Sequence, residues 1–174
     1  MNPIDYSNIL YYQISFSEEQ YRLILELLVR ETKCKIITCN DMEFPKKAKK
    51  DDMVVSLNNI MYKLNDMFHI TVLYSGGKVD ERCDTLHQLL DKSFKISINT
   101  IGIDESFICM GISIPDDLPY YGNNVKHITI ALNNYEKGKK VFPKDSYTAL
   151  LCNNTINVSD FTLDGKFSVN LKKN

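Results

Sequence analysis

The sequence predicts an α+β protein built on antiparallel sheet. Strand-like runs outnumber helical ones, several are joined by hairpin-like turns, and the tripeptide His-Ile-Thr recurs on two of them. The copies are His69-Ile70-Thr71 and His127-Ile128-Thr129, and they hint at two related halves. The 174 residues suffice for one domain, 1–174, with a real core.

Residues 8–16 are aromatic and β-branched enough for a first strand. Ser17 follows as an N-cap, with Glu18 and Glu19 in the first turn and Gln20 at the capping-box position. Tyr21, Ile24, Leu25, Leu28 and Val29 recur at helical spacing, giving an amphipathic helix to about Thr32. A short strand is expected over 35–38. Residues 40–52, with Pro45 and a run of lysines, read as a solvated loop. Residues 53–67 fit strand and helix equally well. Residues 68–74 form a strand ended by Ser75-Gly76-Gly77-Lys78, and 80–92 a helix with Cys83, Leu86, Leu89 and Leu90 inward and His87 at the surface. A hairpin is expected from 95–103 and 107–114, turning at Asp104-Glu105-Ser106. A turn-rich stretch, 115–124, leads to a strand over 125–132, and 161–171 reads as a terminal hairpin around Asp164-Gly165.

The net charge of −1 argues against a protein that coats long DNA, which requires many neutralising cations; a small nucleotide or one RNA end is compatible with it. Five cysteines, odd in number and without a C-x-x-C pair, read as thiols of a reducing compartment. The opening Met1-Asn2-Pro3-Ile4-Asp5 lacks a leader's basic and apolar regions, and no run of about 18 apolar residues occurs. A cytoplasmic monomer without membrane contact is expected. Abundant Asn, Lys, Ile and Tyr without Trp fit an AT-rich genome such as a virus's.

The chemistry concentrates in the repeated tripeptide. Side chains alternate faces along a strand, so each His points the same way as the Thr two residues on. Two such pairs brought together supply two proton-transfer groups and two hydroxyl donors, a set suited to a phosphodiester. An imidazole near its reference pKa accepts or donates a proton at neutral pH. Two histidines without a neighbouring carboxylate or cysteine make a poor ligand set, so neither metal nor cofactor is expected. Lys78 and Lys126 are candidates for phosphate contact, or simply solvated lysines. Tyr74, Tyr120 and Tyr121 are candidates for base stacking, or packing residues.

Residues 68–78 and 126–132 resemble the two His-x-Thr/Ser motifs of the 2H phosphoesterases, the LigT-like superfamily, and 96–114 resembles the hairpin between them. The Gly-Gly-Lys extension and Pro143-Lys144-Asp145-Ser146 look more like the RNA-repair and tRNA-ligase-like branch. The resemblance implies a bilobal α+β fold, with two pseudo-symmetric lobes whose antiparallel sheets line a central cleft and whose helices pack outside. It implies a metal-independent phosphodiesterase in which His69 and His127 act as base and acid, in an order the sequence does not assign, while Thr71 and Thr129 bind the phosphate. On resemblance alone, Lys144 and Ser146 belong to a loop closing over the substrate. The leading expected substrate is a 2′-5′-linked or cyclic nucleotide messenger such as cGAMP, a target of small viral members. RNA 2′,3′-cyclic phosphate ends follow closely, and a non-catalytic nucleotide- or RNA-binding module or a structural protein with coincidental motifs are the alternatives.

Overall fold

A computed structural model describes residues 5–136, 138 and 140–172; residues 1–4, on which most of the expectation of no leader rests, lie outside it. The first strand, β1 (Ile9–Ser15), buries Tyr12 and Ile14 completely. Helix α1 (Glu18–Thr32) starts where expected, with Ser17 Oγ accepting from the Gln20 N–H (3.3 Å), and stops at Lys33, whose backbone is left-handed (φ 62°). Gln20 does not close a capping box. Its Oε1 instead accepts the backbone N–H of Asp164 (2.9 Å) and ties the helix to the last strand. The buried stripe is also rotated from the expected one: Ile24, Leu27 and Leu28 face the core while Val29 is exposed.

Strand β2 (Lys35–Ile37) is followed by the exposed lysines of the 40–52 loop, whose end is pinned by buried Asp52. Asp52 accepts from the Lys49 N–H (2.9 Å) and the Tyr135 hydroxyl (3.0 Å). The ambiguous stretch resolves into a hairpin, β3 (Val54–Leu57) and β4 (Ile60–Leu64), turning at Asn58 and Asn59 with φ of 52° and 65°. Two consecutive left-handed residues are the geometry of a two-residue hairpin turn, and asparagine tolerates it. Strand β5 (His69–Tyr74) and helix α2 (Glu81–His87) follow. The helix ends well before residue 92. His87 is not a surface residue: its ring sits edge-on to Tyr6 and Tyr12, with centroids 5.5 and 6.5 Å away, and its Nδ1 is buried without a partner. Strands β6 (Ser93–Ile103) and β7 (Phe107–Ser113) form the expected hairpin, held by Asp104 Oδ1 accepting from the N–H groups of Ser106 (2.8 Å) and Phe107 (2.7 Å). Strand β8 is His127–Leu132, and a 3₁₀ segment spans Pro143–Leu151.

The terminal hairpin is absent. One strand, β9 (Thr155–Leu171), runs straight through Asp164-Gly165 and pairs with β6 on one side and β1 on the other. Gly165 marks close packing instead of a turn, because a Cβ there would collide with Cγ2 of fully buried Ile14.

The ladders are antiparallel and form a single nine-stranded sheet, ordered β2-β3-β4-β8-β7-β6-β9-β1-β5, where the resemblance implied two. The two histidine strands stand fourth and ninth in that order, yet β5 touches β8. Ile70 and Val72 of β5 and Ile128 and Ile130 of β8 enter one core cluster, which leaves the His and Thr side chains on the opposite strand face. Among the described residues, no helix is long and apolar enough to cross a membrane.

Gly165→Ala is expected to lower stability by about 1–3 kcal/mol through overpacking against Ile14, read as an earlier urea midpoint with an unchanged slope.

Candidate active site

Both His-x-Thr pairs line a single cavity of about 840 Å³. The first pair comes from β5, whose antiparallel partner β1 sets Ser15 opposite His69 and Gln13 opposite Thr71. The Tyr11 ring of β1 stacks on the His69 imidazole, with centroids 5.3 Å apart and planes at 24°. The second pair comes from β8. There His127 Nδ1 lies 2.7 Å from the Val125 carbonyl oxygen. A carbonyl only accepts, so Nδ1 carries the hydrogen and Nε2 is the nitrogen left for proton transfer. Thr129 Oγ1 is 2.6 Å from the hydroxyl of Ser146.

Burial shapes the charge of both rings. It pushes the His69 pKa below the ordinary 6.5, and repulsion from His127 adds to the fall. Burial lowers His127 too, partly offset by the hydrogen bond to the Val125 carbonyl, which favours the protonated ring. Both imidazoles are therefore neutral in the empty site at neutral pH.

The turn-rich segment after β7 builds one wall. The Tyr121 N–H donates to the Val72 carbonyl (2.9 Å), drawing the segment onto β5. Gly122 permits this approach: a Cβ there would lie 2.5 Å from the Thr71 carbonyl oxygen and 2.7 Å from the Tyr120 hydroxyl. Burial pushes the Tyr120 phenol up to about 12, so it stays a donor, and it donates to the Asn123 carbonyl (2.8 Å). Across the mouth, Arg82 is held by the Asp80 carboxylate (2.7 Å), and its guanidinium lies 5.3 Å from the Tyr121 ring centre.

Tyr74, Tyr120, Tyr121 and Lys144 line the cavity as candidates. Lys126 does not; its ammonium lies over the Tyr120 ring, 5.2 Å from the centroid. Lys78 lies on an exposed loop away from the lining. Ser146 belongs to no open loop. It is completely buried in the 3₁₀ segment, behind Thr129, so it cannot touch a bound substrate. The sequence reading missed Tyr11, Asn65 and Arg82, which also line the cavity. Tyr11 could be found only from the β1–β5 register. Arg82 had a weak signal, two residues past the Asp80 N-cap that grips it.

Among the described residues the lining carries Lys144 and Arg82, the latter paired with Asp80 behind it, and no carboxylate, which favours an anionic ligand. Among the described residues, no group of three His, Cys, Asp or Glu is arranged to hold a metal ion.

No protein-family model matches the chain, and no curated protein matches it. Among solved structures, a crystal structure of a fungal RNA kinase is similar at 12% identity with a TM-score of 0.48, over 97% of this chain and 46% of that one. The chain thus spans less than half of that protein's length, and a likeness this distant carries no inference about chemistry.

NMR titration is expected to place both imidazoles below 6.5. His127→Gln is expected to raise the His69 value by removing the repulsion, while burial, the larger cause, still holds it below 6.5.

Proposed function

We propose that the protein is a metal-independent phosphodiesterase, hydrolysing a bond between phosphorus and a ribose 2′ or 3′ oxygen. The observation that carries this reading is the convergence of His69, Thr71, His127 and Thr129 on one cavity. One neutral imidazole takes a proton from the attacking water. The other, as imidazolium, gives a proton to the departing ribose oxygen. Each role contributes about 10²–10⁴-fold in rate. The threonine hydroxyls donate to the non-bridging oxygens as charge builds on them. His127 meets the geometric requirement through Nε2, since Nδ1–H is committed to Val125.

The preferred substrate is a 2′-5′-linked or cyclic dinucleotide messenger such as cGAMP. A cavity of about 840 Å³ lies in the upper part of the range for small-molecule sites, roughly 300–1,000 Å³. Tyr74 and Tyr121 keep exposed rings at its mouth for two bases, and such stacking is worth about 1–3 kcal/mol per base. The near-zero net charge suits a short ligand better than a polymer.

The purified protein is expected to cleave cGAMP or a 2′-5′ oligoadenylate in EDTA, faster than an RNA carrying a 2′,3′-cyclic phosphate. Loss of all turnover in EDTA contradicts the mechanism, preference for the RNA end moves the substrate to end processing, and nucleotide binding without turnover makes the protein a binding module. His69→Ala and His127→Ala are each expected to lower kcat about 10²–10⁴-fold.

The pH profile follows from the lowered imidazoles. The active free enzyme holds one proton between two groups that both titrate below 6.5. Its population falls as pH rises through neutrality, so kcat/KM is expected to peak on the acid side of 6.5. A bound phosphodiester anion favours imidazolium, so kcat is expected to hold to higher pH than kcat/KM.

A further inference from the structure

Thr71 and Thr129 hold equivalent places in the two motifs, but their surroundings differ. The Thr71 hydroxyl makes no side-chain hydrogen bond among the described residues, whereas Thr129 Oγ1 is 2.6 Å from Ser146 Oγ. Ser146 is completely buried, and the 3₁₀ segment that carries it lies directly on Gly102 of β6, where a Cβ would strike the Ala149 carbonyl. Cys109, also fully buried, stands opposite Thr129 in the β7–β8 ladder, where side chains of a facing pair share one side of the sheet. Of the hydroxyl pair Thr129 and Ser146, Thr129 alone reaches the cavity.

A hydroxyl has a single proton to give. If Thr129 spent its proton on Ser146, it would turn only lone pairs toward a phosphate oxygen, which repel. In the opposite polarity, Ser146 O–H donates to Thr129 Oγ1, and the Thr129 proton is left for the substrate.

We infer that Ser146 is a positioning residue that donates to Thr129 Oγ1 and so aims the Thr129 O–H at a non-bridging phosphate oxygen. This rests on the phosphodiesterase reading of the cleft. It makes the two motifs unequal: Thr129 is oriented before substrate arrives, while Thr71 must find its orientation on binding.

The two polarities predict opposite signs for Ser146→Ala. With Ser146 as donor, its removal is expected to lower kcat about tenfold, a fraction of the 10²–10³ that loss of a whole oxyanion donor costs, with KM within about twofold. With Ser146 as acceptor, the same change frees the Thr129 proton, and kcat holds or rises. Thr129→Val with Ser146→Ala is expected to be no slower than Thr129→Val alone; additive losses mean Ser146 acts independently of Thr129 and overturn the inference.

A readout without turnover separates this inference from the function. Adenosine with vanadate forms a pentacoordinate mimic, and Ser146→Ala is expected to weaken its binding about tenfold while leaving adenosine alone unchanged. If the wild type cleaves no diester but the vanadate complex shows this loss, the hydrolytic reading fails and the positioning role stands. If the wild type binds the vanadate complex no better than adenosine, both fail together.

Discussion

Two strands far apart in the sheet order must lie side by side for the cleft to exist, and Asn65 is the residue that joins them. Strand β4 pairs with β8 through Lys63 and Leu64, and Asn65 continues the contact beyond the ladder. Its N–H donates to the Ile130 carbonyl (2.9 Å) and its side-chain amide to the Thr129 carbonyl (2.8 Å). Four residues later the chain begins β5 at His69. The Tyr21 hydroxyl, reaching over from α1, donates to the Asn65 carbonyl (2.6 Å), and the Tyr21 ring stacks on Phe68. Helix, bend and both histidine strands are thus fastened at one point, with no large loop left to set the distance between the imidazoles.

Around that fastening the site is unevenly finished. The His127 side has a tautomer fixed by the Val125 carbonyl and a buried hydroxyl behind its threonine. The His69 side is held by stacking on Tyr11 and by burial, both of which tolerate small rotations of the ring. Preorganised dipoles stabilise developing charge most effectively when they need not move. On the proposed phosphodiesterase reading, the rigid half holds the phosphate and the softer half adapts to what is attached to it.

Much of the fold was legible where a local rule is decisive. Ser17 capped its helix, Asp104 closed its hairpin, and the alternation in β5 and β8 put each histidine on the face of its threonine. Two of the failures share a cause, a partner distant in sequence. Gly165 has the composition of a turn, yet β9 passes through it because Ile14, some 150 residues away in sequence, occupies the space a side chain would need. Gln20 had an accessible local partner but took one across the fold. Asn58-Asn59 was a turn signal that went unread because the flanking run also fits a helix. In the site, the paired tripeptides were readable from the chain alone. Arg82, Tyr11 and the true place of Ser146 were not, because each depends on which strands become neighbours.

Strand β9 has a consequence for how the molecule comes to be assembled. Between β6 and β5 the sheet passes only through β9 and β1, and β9 joins the two by ladders running from Ser93–Lys166 to Ile9–Leu171. Until that late segment has left the ribosome, β1 has no inner neighbour, and the Tyr11–His69 side of the cleft has no attachment to the β6–β7–β8 side along the sheet. Closing so wide a separation in sequence is slow compared with forming helices or adjacent hairpins. The β1–β9 pairing is therefore the long-range step that completes the sheet across its width, whereas α1 and the β6–β7 hairpin depend on neighbours close in sequence.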